Sequence, residues 1–307
     1  MIKTDKINQN INWVQVTDCL PVEKKTLKQE YHLTTEMLYY ALDHHERPRM
    51  EYYDDEQILL IIFDVAEPTR FNGDIAAEPI GLIIHGNTLF TFTANQTNFV
   101  NPLIRSVVDK LPQLQRDNAS PLDIVLKTMY QLAIQYFDYI NHVNSIRTSI
   151  QRNLRGRTNK AAINQLLNLQ TDLVYFLTSL SANNDMLTML KRKLGKTLSD
   201  DDNDALDDVI VEIQQGLSMA QMANQAAQQV AGAYSNLLDS NLNTTMKFLT
   251  VFSIVLTVPN IVFGFYGENV KLPFMDSPLA WQITIVITAI LVVVVLLIMR
   301  FSDFFNR

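Results

Sequence analysis

The chain has little of what most enzymes and nucleic-acid-binding proteins need. Its 307 residues include one cysteine, Cys19, which excludes a disulfide within the chain and fits a reducing compartment. No GxxxxGK(S/T) phosphate-binding motif is present, and His44-His45-Glu46 lacks the spacing of a helical zinc site. The formal net charge of −7 argues against a nucleic-acid partner. We therefore expect no catalytic residues, no organic cofactor and no bound nucleic acid.

Charged residues are also missing from two apolar stretches near the C-terminus, Phe248–Phe265 and Leu279–Met299. Each is about 20 residues long, which at about 1.5 Å per residue is enough to cross a hydrocarbon core about 30 Å thick. The sequence therefore predicts two membrane-spanning helices, joined by a short outer loop at residues 266–278 and followed by a tail at 301–307.

The distribution of basic residues around these spans predicts their orientation. Lys247 precedes the first span, Arg300 and Arg307 follow the second, and the loop between them carries only Lys271. The first ten residues are polar and do not resemble a signal peptide. We therefore expect a multi-pass protein of the plasma membrane with both termini in the cytoplasm.

The first 120 residues have the pattern of a cytoplasmic α/β domain. A helical stretch is predicted near Pro21–Asp43, and Gly86-Asn87 is typical of a tight hairpin. Short stretches rich in β-branched and aromatic residues predict an antiparallel or mixed sheet. The predicted strands are Arg49–Tyr53, Ile58–Val65, Gly81–His85 and Thr88–Thr93.

After Pro121 the apolar residues follow helical spacing. Leu122–Leu154 and Ala161–Leu194 predict a helical hairpin with a break at residues 155–159. No proline occurs between Asp204 and Pro259, which predicts one continuous helix of roughly 60 residues, about 90 Å long. We expect residues 121–246 to form a cytoplasmic helical hairpin and stalk, and residues 247–300 to form the membrane domain.

One face of the first span is polar, although the span as a whole is apolar. We call this face the polar seam. Its members follow alternating steps of three and four residues, and all but one are polar or glycine: Asn243, Met246, Thr250, Ser253, Thr257, Asn260, Gly264 and Gly267.

Polar groups on a membrane helix must face protein or water, so the seam mediates either helix packing or a pore. Asn260 and the length of the seam favour a pore. Two spans cannot enclose a water-filled path, so a pore requires several subunits. The second span, whose strongly polar residue is Gln282, is then the lipid-facing outer helix.

The sequence Tyr266-Gly267-Glu268-Asn269 resembles the signature of the CorA family of divalent-cation transporters, Tyr-Gly-Met-Asn. The resemblance extends through most of the chain, because the order of an α/β domain, a long helix and two C-terminal spans also matches that family. Further matching positions lie along the first span: Asn243, Met246, Lys247, Leu249-Thr250, Pro259 and Gly264.

This resemblance implies a funnel-shaped homopentamer that admits Mg²⁺ passively under the membrane potential and senses Mg²⁺ in the cytoplasm. Asn269, through the hydration shell of the ion, and the backbone of Gly267 are implied as the outer mouth. Thr257 and Asn260 fall at intermediate pore positions. The residues implied at the inner constriction are Asn243, Met246 and Leu249.

Glu268 departs from the family pattern, which has methionine there. A ring of carboxylates could concentrate divalent cations at the mouth, or the side chain could point away from the axis into the aqueous loop. The departure keeps transport of Zn²⁺, Co²⁺ or Ni²⁺ as an alternative to Mg²⁺. A non-conducting, membrane-anchored oligomer that senses ions is a second alternative.

An acidic run at residues 200–208 could in principle bind a cation. It fails as an EF-hand loop because Ala205 and Val211 replace the required glycine and glutamate, so we interpret it as a helix N-terminus capped by Asp202 or Asp204. The family resemblance places Asp208 at a regulatory intersubunit magnesium site.

Overall fold

The computed structural model describes residues 1–66, 77–153, 160–268, 273 and 278–301. The chain divides into two compact units, Met1–Ala231 and Gly232–Arg307. The division lies inside the longest helix, whereas the sequence predicted functional limits at residues 120 and 246. The limits at residues 120 and 246 therefore remain a proposal for where the α/β domain, the helical stalk and the membrane domain begin and end.

The first unit is built on a six-stranded mixed sheet with the order β1-β2-β6-β5-β4-β3. Neighbouring strands are antiparallel except for β2 and β6, which run parallel. The mixed sheet is therefore one of the two arrangements predicted. The strands are β1 (Ile2–Lys6), β2 (Asn12–Thr17), β3 (Arg49–Tyr53), β4 (Ile58–Ala66), β5 (Ala77–His85) and β6 (Thr88–Thr93).

The residues that the structure describes also form eight helices. They are α1 (Pro21–Tyr31), α2 (Thr35–Leu42), α3 (Val100–Lys110), α4 (Gln113–Asn118), α5 (Pro121–Asn153), α6 (Lys160–Leu194), α7 (Asp200–Tyr266) and α8 (Ala280–Phe301). The 67-residue α7 is the long continuous helix that the sequence predicted. The predicted break at residues 155–159 lies outside the described residues.

The helical stretch predicted near Pro21–Asp43 is confirmed, and the chain breaks within it into two helices, α1 and α2. His32 adopts a left-handed backbone conformation with φ 58°, which ends α1. Thr34 then accepts a hydrogen bond from the backbone N–H of Met37 and caps α2.

Apolar residues cover both faces of the sheet. On one face, α1 and α2 supply Leu27, Met37 and Leu38 to a cluster with residues of the central strands. On the other face, α3, α5, α6 and the first half of α7 share one large core with the strands. At Gly81 an added Cβ would lie 2.7 Å from the carbonyl oxygen of Ala41, so glycine permits the close approach of α2 to β5.

Candidate functional site

Among the described residues, two helices are long and apolar enough to cross a membrane: α7, through its C-terminal part, and α8. Both parts belong to the second compact unit. The predicted spans Phe248–Phe265 and Leu279–Met299 agree with these helices except at the ends, since α7 continues to Tyr266 and α8 to Phe301.

Each of these helices buries one face within the unit. On α7 the less exposed residues include Val251, Val255, Val258 and Val262, at helical spacing, and Val262 is 7% exposed. On α8 the buried residues are Thr284, Thr288 and Met299. On each helix the less exposed residues thus lie on one side, which we call its packed face.

The polar seam of α7 lies on a different side of the helix, and every one of its eight members is exposed. At about 100° per residue, the seam is roughly 140° around the axis from the buried face of α7. Among the described residues of this unit, the seam therefore does not serve helix packing. Its polar groups are left for water or for further copies of the protein.

Two of the three hydroxyl residues on the seam, Thr250 and Thr257, have their hydroxyl groups oriented by the helix backbone. Thr250 Oγ1 donates to the carbonyl oxygen of Met246 at 2.9 Å, and Thr257 Oγ1 donates to that of Ser253 at 2.7 Å. A hydroxyl that gives its hydrogen to the backbone presents only oxygen lone pairs outward. The exposed seam thus offers hydrogen-bond acceptors, which suit the outward-pointing hydrogens of a hydrated cation.

The threonines of α8 make the same type of bond but are buried. Thr284 donates to the carbonyl oxygen of Ala280 at 3.0 Å, and Thr288 donates to that of Thr284 at 2.8 Å. The exposed surface of α8 is instead mostly apolar and includes Trp281 and Ile290. Gln282 is exposed, as expected for a polar residue near the membrane interface. This pattern fits a lipid-facing outer helix.

The end of α7 carries the predicted mouth. The N–H of Gly267 donates to the carbonyl oxygens of Phe263 at 2.9 Å and Gly264 at 3.2 Å, which closes the last turn. A Cβ at Gly267 would lie 3.1 Å from the carbonyl oxygen of Phe263, whereas one at Gly264 would meet nothing within 4 Å. Glycine is therefore favoured at Gly267 by the backbone, but at Gly264 this chain alone does not require it.

A helix C-terminus is the negative end of the helix dipole and attracts cations. Tyr266, Gly267 and Glu268 follow or end the last turn of α7, and Glu268 is exposed. Asn269, the remaining residue of the predicted mouth, lies outside the residues that the structure describes. At the other end of the seam, Met246 and Leu249 are each 54% exposed.

The acidic run begins α7, but its cap differs from the prediction. The N–H of Asp202 donates to Ser199 Oγ at 3.1 Å, so Ser199 rather than Asp202 or Asp204 caps the helix. Asp207 pairs with Lys191 of α6. Asp208 is exposed and makes no ion pair with any described residue. In the part of the chain that the structure describes, no three His, Cys, Asp or Glu side chains are placed to hold a metal ion.

Sequence reasoning missed an acidic side chain inside the first unit, Asp64 of β4. Its backbone carbonyl accepts hydrogen bonds from Tyr136 Oη at 3.1 Å and Asn183 Nδ2 at 2.9 Å, and its N–H donates to Asn183 Oδ1 at 3.0 Å. Burial raises the pKa of the Asp64 carboxyl to about 6, although a hydrogen bond with Ser179 opposes the shift. The sequence signal that could have identified Asp64 is that it is the one acidic residue in an otherwise apolar strand.

A family model and a curated protein sequence both match this chain, and both are of the CorA type. The family described as CorA-like Mg²⁺ transporter protein matches residues 8–301. The cobalt/magnesium transport protein CorA of Methanocaldococcus jannaschii is 23% identical over 291 residues, covering 94% of this chain and 90% of that protein.

Solved structures show the same fold. The complete structure of the CorA magnesium transporter from Methanocaldococcus jannaschii superposes with a TM-score of 0.82 at 22% identity, covering 95% of this chain and 90% of that one. The full-length CmaX protein gives a TM-score of 0.73 at 14% identity and covers 92% of this chain and 87% of that one.

An α+β domain, a very long helix with an apolar C-terminal part and one further apolar helix together define a class of two-span membrane proteins. Because the family match covers nearly all of the sequence, the chain belongs to the CorA-like Mg²⁺ transporter family. The recognition made from the Tyr266–Asn269 resemblance is thereby confirmed at the level of the family.

Proposed function

We propose that several copies of this chain assemble around α7 into a channel that admits hydrated Mg²⁺ to the cytoplasm. The observation that carries this proposal is the exposure of the polar seam on a side of α7 away from its packed face. A polar face in a membrane requires water or protein, and the described residues of the second unit leave this one uncovered.

The chemistry of the seam suits an ion that keeps its water. Mg²⁺ loses its hydration shell reluctantly, and water bound to it donates hydrogen bonds outward. Amide oxygens of Asn243, Asn260 and Asn269 and the hydroxyl oxygens of Thr250 and Thr257 can accept such bonds. None of these groups is charged, so the ion is held weakly and can leave again.

The proposed mouth consists of Tyr266, Gly267, Glu268 and Asn269, with Asn269 meeting the ion through its hydration shell. The negative end of α7 attracts the cation there. An inside-negative potential then supplies about 4.6 kcal/mol per 100 mV for a doubly charged ion, so influx needs no ATP. We place both termini in the cytoplasm and the protein in the plasma membrane.

A single α7 cannot enclose a path, so the channel must be a homo-oligomer, and the family resemblance makes a pentamer our proposal. The inner constriction would be formed by Asn243, Met246 and Leu249. We propose Asp208 as a regulatory Mg²⁺ site between subunits, because the family resemblance implies an acidic residue with that role at this position of α7. No enzymatic activity is proposed.

The test is a flux measurement. Purified protein in liposomes should admit Mg²⁺ under a negative internal potential, and Asn269→Ala should lose that flux. Gln282→Ala, at an exposed position on the outer helix, is the matched control and should keep it. Full flux through Asn269→Ala would overturn the assignment of the mouth, and absence of flux in the unaltered protein would favour a non-conducting, ion-sensing oligomer.

The second candidate is transport of Co²⁺, Ni²⁺ or Zn²⁺ through the same path. It is motivated by Glu268, the residue that departs from the family signature, since a carboxylate can bind a divalent cation directly and so change the selectivity of the path. Competition of these ions with Mg²⁺ in the same liposomes separates the two. Inhibition by Co²⁺ with Co²⁺ uptake would indicate a shared path, and Mg²⁺ uptake unaffected by the other ions would restrict the function to Mg²⁺.

A further inference from the structure

The first unit contains a small cavity where α3, α5 and the first turns of α7 meet, with a volume of about 280 Å³. We call it the α3–α5–α7 cavity. Its walls are largely apolar and include Leu103, Val107 and Leu126, of which Val107 and Leu126 are buried. Ala205 contributes from α7. This volume suits a leucine- or phenylalanine-sized molecule rather than a nucleotide.

Charged groups line the same cavity. Lys127 is already paired with Asp123 one turn earlier on α5. Lys110 and Asp208, by contrast, make no ion pair with any residue in the described parts of the chain, and both are exposed. The cavity therefore combines an apolar interior with one free cation and one free anion among the described residues.

A further polar residue of the cavity makes a long hydrogen bond between α5 and α7. Tyr130, which also lines the cavity, donates its hydroxyl hydrogen to Glu212 Oε1 at 3.5 Å. Lys110, Leu103 and Val107 share one face of α3 because they are spaced by four and three residues. The apolar walls and the ammonium group thus face the same space.

From this arrangement we propose that the α3–α5–α7 cavity binds a small apolar zwitterion, of the class of a free α-amino acid with a leucine- or phenylalanine-like side chain. The ammonium group of Lys110 receives the carboxylate of the ligand, and the carboxylate of Asp208 receives its ammonium group. The side chain of the ligand fills the apolar interior. A purely cationic or anionic ligand would satisfy only one of the two free charges.

Such binding would bear on gating, because the same Asp208 carboxylate is proposed above to sense Mg²⁺. A bound ammonium group would compete with the metal for it. The binding itself is measured without Mg²⁺ and without flux, so its outcome does not depend on the proposed function.

The experiment is calorimetric titration of L-phenylalanine and L-leucine into the full-length protein in detergent. We expect saturable binding at one site per chain, weakened about tenfold or more by Lys110→Ala and by Asp208→Asn, with Lys110→Arg restoring most of it. Ala205→Phe, at a half-buried helix position, should fill the cavity and abolish binding. Lys28→Ala removes an exposed lysine of α1 outside the cavity and should change nothing.

Ligand analogues test the two charges separately. Phenethylamine lacks the carboxylate and 3-phenylpropionate lacks the ammonium group, and both should bind at least about tenfold more weakly than phenylalanine. The proposal is overturned if either amino acid gives no saturable binding below about 10 mM. It is equally overturned if the analogues bind as well as phenylalanine, or if Lys110→Ala and Asp208→Asn retain full affinity.

Discussion

The hydroxyl of Thr257 donates its hydrogen to the backbone carbonyl oxygen of Ser253, 2.7 Å away, and both residues lie on the exposed polar seam of α7. The bond stays within one turn of the helix, so it leaves the Thr257 oxygen free to accept a second hydrogen bond from outside. An acceptor of this kind is what the water around a cation needs. This relationship makes Thr257 the most direct point at which to test the seam.

Thr257→Val should lower Mg²⁺ flux in liposomes by about tenfold, equivalent to about 1.4 kcal/mol in the barrier. The valine keeps the shape of threonine but removes the acceptor oxygen, whereas Thr257→Ser keeps the oxygen and should retain flux. Thr288→Val makes the same change at a buried position of α8 and should leave flux unchanged. Equal flux in both valine variants would remove Thr257 from the ion path.

Glu268→Gln should raise the external Mg²⁺ concentration needed for half-maximal uptake at low ionic strength. A ring of carboxylates raises the local concentration of divalent cations, and salt screens this effect. The difference between variant and unaltered protein should therefore shrink in high salt, as measured by initial uptake rates in liposomes. An identical half-maximal concentration at low salt would show that the Glu268 side chain points away from the ion path.

Asp64→Asn should change how stability depends on pH. The pKa of Asp64 rises from 3.8 when unfolded to about 6 when folded, so the folded state binds the proton more tightly. The unaltered protein should lose up to about 3 kcal/mol of stability as the pH rises from 4 through 6, and regain it on acidification. Asp64→Asn removes the titrating group and should be the more stable of the two at pH 7.5.

The measurement for Asp64 is thermal unfolding of the full-length protein in detergent between pH 4 and pH 8, followed by intrinsic fluorescence. Asp185→Asn, at an exposed position on α6, is the control and should keep the pH profile of the unaltered protein. A profile for Asp64→Asn that parallels the control would contradict the raised pKa.

Asp208→Asn should weaken inhibition of flux by internal Mg²⁺ and move the half-inhibitory concentration upward by about tenfold. The reason is loss of a carboxylate that we propose to share Mg²⁺ with a neighbouring subunit. Asp207→Asn is the control, because Asp207 is already paired with Lys191 in the same chain. Unchanged inhibition in Asp208→Asn would count against the sensor role.

The parts of the fold that could be predicted from the sequence are those that a pattern of neighbouring residues determines. The two spans, the long α7 and the Gly86-Asn87 hairpin follow from apolar runs, from the absence of proline and from a turn dipeptide. In the hairpin, Gly86 has φ 55° and His85 pairs with Thr88, as the prediction required. The exposed seam was likewise readable, because helical spacing alone determines which residues share a face.

The parts that were missed depend on distant residues or on weak local patterns. Strand β1 has the sequence IKTDK, and its mostly polar residues suit an exposed sheet edge but give no alternating signal. The hydrogen bonds of the Asp64 backbone involve Asn183, which lies 119 positions further along the chain. Asp64 lies opposite Pro79 of β5, which has no N–H, so the helices rather than the strand partner complete its backbone hydrogen bonds. No local sequence pattern predicts that residues of distant helices supply the backbone hydrogen bonds of a strand residue.

Water accessibility of single cysteines along α7 tests the central claim, that the polar seam lines a water-filled path. In a Cys19→Ser background, cysteines at Thr250, Ser253 and Thr257 should react with a membrane-impermeant thiol reagent in the assembled protein. Cysteines at Val255 and Val258, on the packed face of the same helix, should stay unreactive. Unreactive cysteines at all three seam positions would contradict the account, because the seam would then be buried between helices and closed to water.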